Sequence, residues 1–366
     1  MNKNNKYITI LEKHNIYDKQ IFTQSLEKNV MLQSIYSRLK KSKKHILDTI
    51  QFKVNKYPTI NNSSFIQEHI NKHLESFFIS DIIRTQLTTG IINVHEYTFT
   101  YGTNTLTFYN FLFSKHKNNV TCNQLSIMAC YGFMIQELYS FSNVDIITYI
   151  YPSTYKKKNP IQPPITPNNI NSGYTPLTDI KKDKFIVLFR KEDVENVFVH
   201  ELIHYLKIDN DLVTSTNTLH TFFNISNTIL INEGYTEMLT ILYVSLCNSI
   251  FLHLDYKDIL YHEYIYSLSR CNKVLQLYSI QSHSDIHKWN DETNAFAYIF
   301  IKTLCFSKLD LFLQLGFNYT ALTIDIFIDF LQNQYPILEP FLFKTINFKS
   351  SFIDKSLKKS IYDIKW

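Results

Sequence analysis

The segment 190–207 constrains the fold of this chain more than any other, because it combines a helical pattern of apolar residues with two histidines. Its centre reads His-Glu-Leu-Ile-His, an HExxH motif that places His200 and His204 four residues apart. Residues at this spacing lie on one face of a helix, so both imidazoles can point at one metal ion. Glu201 follows His200 directly and can reach a water that such an ion holds. The segment therefore predicts a buried helix that carries half of a metal site.

Two carboxylates further along the chain can complete this site. A catalytic zinc ion takes three protein ligands and leaves a fourth position for water. Glu233 and Glu237 stand at positions i and i+4 of a second apolar helix, in the sequence Asn-Glu-Gly-Tyr-Thr-Glu. His220 is another candidate ligand, but it has no carboxylate near it in the sequence. We therefore favour a carboxylate over this lone histidine as the third ligand.

The combination of HExxH with a later Asn-Glu helix resembles the gluzincin metallopeptidases, which include the thermolysin-like enzymes and the M1 aminopeptidases. The resemblance implies that His200, His204 and Glu233 are zinc ligands. It also implies that Glu201 is the general base and that Glu237 orients a ligand histidine. A carboxylate in that position would fix the tautomer of the histidine and make its ring a better donor to zinc.

The metzincin peptidases share the HExxH motif but differ in the residues that follow it. They require glycine three residues after the second histidine and histidine or aspartate three residues later, where this chain has Lys207 and Asn210. The metzincin alternative is therefore excluded. The link from His204 to Glu233 is several residues longer than in the gluzincins, which predicts an extra loop at 209–218.

Peptide hydrolysis at a zinc site usually needs a further hydrogen-bond donor for the oxyanion. Gluzincins use a Tyr or His for this purpose, and Tyr298, in the predicted helix 291–306, is our first candidate. The alternatives are Tyr235, His283 and His287. Arg190 is the arginine beside the motif, and we favour its pairing with a structural acid such as Glu237 over the binding of a substrate carboxylate.

A second resemblance covers more of the chain. It rests on Ile-Tyr-Pro at 150–152, Asn-Ser-Gly-Tyr-Thr at 171–175, Ile-Val-Leu-Phe-Arg-Lys-Glu at 186–192 and Glu-Thr-Asn-Ala-Phe-Ala-Tyr at 292–298. These segments are similar to those of predicted metallopeptidases of large eukaryotic DNA viruses. The resemblance implies a viral protein that acts in the host cell cytoplasm or within the virion.

Composition predicts an intracellular, cytoplasmic protein. The formal charge of +5 over 366 residues is mild, so no nucleic-acid partner is predicted. The five cysteines are odd in number and form no CxxC pair, as expected for free thiols in a reducing compartment. The N-terminus lacks the apolar region of a signal peptide. The longest apolar stretch, 238–254, contains polar residues and is short for a bilayer, so we expect a buried core helix and no membrane partner.

Hydrophobic periodicity predicts an α+β fold that is mainly helical. The predicted strands are 91–99, 144–151 and 184–189, and the clearest helices are 25–50, 64–88, 123–139, 231–254, 256–278, 291–306 and 322–334. The strand 184–189 leads directly into the HExxH helix. A long proline-rich loop spans 153–178, and loops of this length are often functional.

This pattern predicts a zincin-like catalytic core with a small sheet, flanked by helical N- and C-terminal regions. The predicted divisions are a mainly helical region at 1–118, the catalytic core with both site helices at 119–254, and a helical C-terminal domain at 255–366.

The residues together predict a zinc-dependent metallopeptidase with one Zn²⁺ ion. It would hydrolyse peptide bonds of a peptide or protein substrate by a metal-activated water, with Glu201 as the general base. The alternative is a catalytically inactive zincin-fold protein with a viral structural or host-interaction role. The complete HExxH motif with its Asn-Glu helix favours the enzyme, because decayed sites usually lose the base or a ligand.

Overall fold

The computed structural model describes residues 19–57, 68, 71–113, 119–176, 184–209, 212, 217–226, 229–318 and 322–343. The chain divides into two compact units. The described residues of Ser37–Lys157 and Asn171–Ile208 form the sheet unit, and those of Met1–Tyr36, Lys158–Ile170 and Asp209–Ile364 form the helical unit. The predicted division at 118 and 254 stays a prediction.

The sheet unit is built on a mixed sheet with the strand order β1-β2-β3-β4-β6-β5. The strands are β1 Gln51–Tyr57, β2 Ile91–Tyr101, β3 Asn104–Phe113, β4 Asp145–Ser153, β5 Gly173–Tyr174 and β6 Ile186–Arg190. Strands β1, β2 and β3 pair antiparallel, and β4 is parallel to both β3 and β6. The short strand β5 lies at the edge, antiparallel to β6.

The helices in the described part of the chain are α1 Lys19–Glu27, α2 Val30–Thr49, α3 Asp81–Gly90, α4 Cys122–Leu138, α5 Pro167–Ile170, α6 Val194–Tyr205, α7 Asn217–Phe223, α8 Ile231–Leu252, α9 Tyr256–Leu277, α10 Lys302–Ser307, α11 Leu309–Asn318 and α12 Ile324–Leu342. A 3₁₀ helix spans His283–Lys288, and a π-helical turn spans Phe296–Ile301.

The strand that precedes α6 is buried along its whole length, because the sheet is covered on both faces. On one face, Val187 and Phe189 of β6 join a core cluster with residues of α3 such as Ile83. On the other face, Phe108 of β3 packs against Phe198 of α6, with ring centroids 5.4 Å apart. Helix α6 is therefore held against the sheet by its apolar side chains.

The helical unit is organised around α8, which is buried along almost its whole length. Helices α9 and α10 and the π-helical turn pack against it. Its length and composition would allow it to cross a membrane, but 89% of its apolar window is buried inside the protein. That burial is the environment predicted for the apolar stretch 238–254, a core helix.

The predicted α+β, mainly helical class is confirmed. The strands predicted at 91–99, 144–151 and 184–189 correspond to β2, β4 and β6. Strands β1, β3 and β5 are additional. The last of these lies within the predicted proline-rich loop, which therefore contributes a strand to the sheet.

Candidate metal centre

A buried ion pair fixes the turn that leads from β6 into α6. Asp193 precedes the helix with a φ of 58°, a left-handed conformation that aspartate tolerates better than most residues. Its carboxylate lies 3.3 Å from Nζ of Lys157, and both side chains are buried. The backbone N–H of Lys157 also donates to Oε2 of Glu192 at 2.6 Å. These contacts tie the start of α6 to the chain that follows β4.

Arg190, at the end of β6, braces the same region. Its buried guanidinium donates from Nε to the main-chain oxygen of Asn171 at 2.6 Å and from Nη1 to that of Tyr155 at 3.2 Å. Burial lowers the pKa of Arg190 to about 10, although the nearby Glu192 acts in the opposite direction. These contacts are structural, and the predicted pairing with Glu237 stays a prediction.

Helix α6 brings the two histidines of the motif together, as their spacing predicts. The Nε2 atoms of His200 and His204 lie 3.2 Å apart, and the rings meet edge to face at an interplanar angle of 78°. His200 is buried, whereas His204 is half-buried. One nitrogen of each ring therefore points at the same small volume.

Glu201 is also buried, with 6% of its surface exposed, and it contacts the strand β5 and the residue after it. Oγ1 of Thr175 lies 3.0 Å from Oε2 of Glu201 and 3.1 Å from its main-chain oxygen. A Cβ atom added to Gly173 would lie 3.1 Å from Cγ of Glu201 and 2.7 Å from Cγ1 of Val197. Glycine at 173 thus permits the approach of β5 to α6.

Glu233 lies in the first turn of α8 and is half-buried. A carboxylate is favourable there because the N-terminal end of a helix carries a partial positive charge. One ligand atom from each of His200, His204 and Glu233 lies within 4.8 Å of the other two. These three residues could therefore hold a metal ion.

The donor set suits zinc. Two imidazole nitrogens and a carboxylate oxygen are ligands that zinc accepts at about 2.0–2.2 Å. Two such ligands on a tetrahedral ion lie about 3.3 Å apart. The Nε2 atoms of His200 and His204 meet this separation at 3.2 Å, and the group that includes the carboxylate of Glu233 lies within 4.8 Å. Three protein ligands would leave one position open, as in catalytic rather than structural zinc sites.

The carboxylate of Asp209 stabilises the first turns of α8. Its Oδ2 accepts hydrogen bonds from Nδ2 of Asn232 and Oγ1 of Thr236, both at 3.1 Å. All three residues are buried. Because Asn232 and Thr236 flank Glu233 on the helix, Asp209 helps to set the orientation of the turn that carries this residue.

Glu237 lies one turn further into α8 than Glu233 and is fully buried. Its Oε1 is 3.8 Å from Nζ of Lys302, which is buried as well. The predicted contact of Glu237 with a ligand histidine stays a prediction.

Tyr298 is half-buried in the π-helical turn Phe296–Ile301. This turn packs closely on the start of α8, because a Cβ added to Gly234 would lie 2.6 Å from Cγ2 of Ile301 and 3.2 Å from the main-chain oxygen of Ala297. π-Helical turns are rare and occur frequently at functional sites. Tyr298 follows Ala297, whose main-chain oxygen lies close to Gly234, and Gly234 follows Glu233 in the chain.

The alternative donors and ligands have other contacts in the helical unit. Tyr235 is buried against Phe312 and Phe327, with ring centroids 5.5 and 5.7 Å away. His283 lies among aromatic rings, and Nδ1 of the exposed His287 is 2.6 Å from the main-chain oxygen of Ser284. Nε2 of His220 accepts from the backbone N–H of Ile229 at 3.2 Å.

Thr175 and Asp209 are site neighbours that no motif in the sequence identifies. The one signal for Thr175 is the similarity of 171–175 to viral sequences, which marks the segment without giving it a role. Asp209 falls in the predicted extra loop, and no spacing rule connects it to α8.

The chain is similar to an uncharacterized protein of Acanthamoeba polyphaga mimivirus, with 25% identity over 206 residues. The alignment covers 51% of this chain and 53% of the mimivirus protein, so the chain matches about half the length of that relative. No family model matches the chain, and no solved structure does. The similarity relates the chain to a viral protein.

Proposed function

We propose that the protein is a zinc-dependent metallopeptidase of the gluzincin type, acting on a peptide or protein substrate. The observation that carries the proposal is the group of donor atoms from His200, His204 and Glu233, which lie within 4.8 Å of one another. A buried carboxylate, Glu201, follows one of these ligands directly. Two histidines and a glutamate with an adjacent glutamate form the constellation that hydrolytic zinc sites use.

Each residue has a defined task in this proposal. His200, His204 and Glu233 would hold one Zn²⁺ ion, which when bound lowers the pKa of a water and polarises a carbonyl. The carboxylate of Glu201 accepts a proton from the attacking water and returns it to the leaving amine. The phenol of Tyr298 donates a hydrogen bond to the substrate oxygen as negative charge develops on it.

The surroundings of the motif also support a zincin-like core. Strand β6 leads into the HExxH helix, and Asn232, Glu233 and Gly234 lie in the first turn of the second site helix, which begins at Ile231. Burial of Glu201 favours catalysis, because interactions between charges are stronger where water is excluded.

The test is a comparison of wild type with Glu201→Gln. Metal analysis of the purified wild type should find one zinc per chain, and a library of peptides should reveal hydrolysis that a chelator abolishes. Glu201→Gln should keep its zinc and lose hydrolysis by at least ~1,000-fold, because the base is removed while the ligands remain.

Wild type without bound zinc would reject the proposal at its first step. Zinc binding without turnover of any peptide would instead favour the inactive zincin-fold protein with a viral structural or host-interaction role. A Glu201→Gln variant that hydrolyses at the wild-type rate would remove Glu201 from its proposed role.

The similarity to a mimivirus protein suggests where such an enzyme would act. We propose the host cell cytoplasm or the virion, with neither a membrane nor a nucleic acid as partner. Fractionation of infected cells tests the location, and recovery of the protein with the membrane pellet would contradict it.

A further inference from the structure

We infer that Thr175 is a positioning residue for Glu201, and that its hydroxyl sets the orientation in which the carboxylate meets its substrate. This inference rests on the proposed function and assigns a further residue to it. Its basis is the pair of contacts from Oγ1 of Thr175, at 3.0 Å to Oε2 and at 3.1 Å to the main-chain oxygen of Glu201. Both acceptors belong to the same residue.

The two contacts connect the carboxylate of Glu201 to its own main-chain oxygen through a single hydroxyl group. A hydroxyl has one proton, and here the proton has two acceptors, a charged carboxylate oxygen and a neutral carbonyl. Hydrogen bonds to charged groups are the stronger ones, so the carboxylate is the favoured acceptor. The carbonyl of Glu201 lies within α6 and can share the proton in a bifurcated hydrogen bond, which keeps the hydroxyl near the helix. The side chain of Glu201 is thus restrained relative to its own backbone.

Restraint matters for Glu201 because its side chain has many accessible conformations. A glutamate side chain has three torsion angles, and ordering such a side chain costs conformational entropy. A base that is already oriented reacts faster than one that must find its position, because the entropy has been lost before the reaction begins. The hydroxyl of Thr175 removes part of that freedom in the folded enzyme.

The segment that carries Thr175 is itself well anchored. Gly173 and Tyr174 of β5 pair with Leu188 and Val187 of β6. The hydroxyl of Tyr174 donates to the main-chain oxygen of His73 at 2.8 Å. A residue that follows directly on such an anchored strand can hold a partner in place.

Gly173 supplies a second restraint from the same segment. The site of its missing Cβ lies 3.1 Å from Cγ of Glu201, so the backbone of β5 packs against the stem of the side chain. The stem is limited by packing and the carboxylate by the hydrogen bond of Thr175. The two contacts act on different atoms of Glu201 and together favour one rotamer.

A structural role for Thr175 makes different predictions from a positioning role. If the bond to the main-chain oxygen were what mattered, loss of the hydroxyl would loosen β5 from α6 and would reduce stability, zinc content and activity together. If orientation of the carboxylate matters, loss of the hydroxyl lowers kcat and leaves substrate binding and zinc content unchanged.

The experiment compares Thr175→Val, which has the same shape without the hydroxyl, with Thr175→Ser, which keeps it. A matched control is Thr107→Val, since Thr107 is a half-buried threonine on β3, separated from β5 by β4 and β6. All are prepared as the full chain with zinc, and kcat, KM, zinc content and Tm are measured.

We expect Thr175→Val to lose about 10- to 100-fold in kcat, the range that a hydrogen bond to a charged group supports, with KM within about twofold of wild type. Thr175→Ser should stay within about threefold of wild type in kcat. Thr107→Val should match wild type in both constants, and zinc content should be the same in all four proteins.

Wild-type kcat in Thr175→Val would overturn the inference, and so would equal losses in the Val and Ser variants. A Thr175→Val protein that loses zinc or its cooperative unfolding transition would assign the residue a structural role, provided that Thr175→Ala behaves in the same way. If wild type binds zinc but cleaves nothing, the proposed function fails before any Thr175 variant is measured, and the inference is overturned with it.

Discussion

Helices α6 and α8 each carry two candidate site residues four positions apart, but the two pairs have different environments. In α6 the pair is His200 and His204, whose Nε2 atoms lie 3.2 Å apart. In α8 the pair is Glu233 and Glu237. Glu233 is half-buried and belongs to the candidate metal group, whereas Glu237 is fully buried and lies 3.8 Å from Lys302. The same spacing therefore brings the two side chains of α6 to one site but places the two side chains of α8 in different environments.

The difference teaches what helical spacing does and does not determine. An interval of four residues places side chains on one face, one turn apart. In α6 that face converges on one point because the two imidazoles are short and turn toward each other. In α8 the step of one turn leads from the end of the helix into its buried middle, where a carboxylate needs a cation. Depth along the helix decides the environment of each acid.

The largest effect should come from the α6 pair. Replacing His204 by alanine removes one of the three proposed zinc ligands, and we expect the zinc affinity to fall about 1,000-fold or more. Competition with a chelator of known affinity measures the Kd. His287→Ala is the control, because His287 is exposed and lies in the 3₁₀ helix. Equal affinity in wild type and His204→Ala would show that α6 does not carry a ligand pair.

The buried acid of α8 should affect folding more than metal binding. Glu237→Gln removes the negative charge that lies 3.8 Å from the buried Lys302, so we expect the free energy of unfolding to fall by about 3 kcal/mol. The double variant with Lys302→Met removes both charges and should recover at least half of the loss. Urea unfolding measures both.

A different result for Glu237 would make the roles of the two pairs more alike. If Glu237→Gln keeps wild-type stability but weakens zinc binding about 10- to 100-fold, the residue orients a ligand histidine, as the gluzincin resemblance implies. In that case both acids of α8 serve the metal.

The other acid of α8 should show the opposite pattern. Glu233→Gln replaces a charged ligand by a neutral amide, and we expect zinc affinity to fall about 10- to 100-fold while the unfolding free energy of the metal-free protein changes by less than ~1 kcal/mol. His220→Ala should leave the affinity unchanged. If His220→Ala weakens zinc binding and Glu233→Gln does not, the third ligand is the histidine.

The smallest effect concerns the contact between α8 and the π-helical turn. Gly234→Ala adds a Cβ that would lie 2.6 Å from Cγ2 of Ile301, so the turn with Tyr298 must shift. Overpacking of this kind costs about 1–2 kcal/mol, although alanine is the better helix former. We expect a lower Tm and a lower kcat with unchanged zinc content. A gain in Tm would mean that the turn moves without resistance.

The part of the site that the sequence predicts is the part encoded by local spacing. His200, Glu201 and His204 lie within five residues of one helix, and their geometry follows from the helical repeat alone. The contact of Thr175 with Glu201 joins residues 26 positions apart, and no periodic pattern relates them. The π-helical turn is also hidden, because a short turn of this kind barely changes the apolar periodicity of the surrounding helix.

The fold shows the same division. Strands β4 and β6 are apolar runs in the middle of the sheet and are predicted from the sequence. Strand β3 alternates as a strand should, but Asn110 stands at an inward position and donates to the main-chain oxygen of Val120 at 2.9 Å. A buried polar residue of this kind interrupts the apolar pattern. Strand β1 has mostly exposed side chains, and its alternating apolar residues Phe52 and Val54 are too few to distinguish a strand in the sequence.

The hydrogen bonds of Asp209 have a consequence for how this chain can change during evolution. They close a loop between residues 23 positions apart, from Asp209 to Asn232, so the chain between them begins and ends at one fixed point. For a loop closed in this way, doubling the length costs only about 0.6 kcal/mol of closure entropy. Changes of length between Asp209 and α7 would therefore cost little closure entropy, while α7 keeps its buried Leu219 and Phe223 in place and Glu233 keeps its place on α8. Without the hydrogen bonds of Asp209, insertions before α7 would displace the start of α8. With these bonds, such insertions can accumulate as neutral variation.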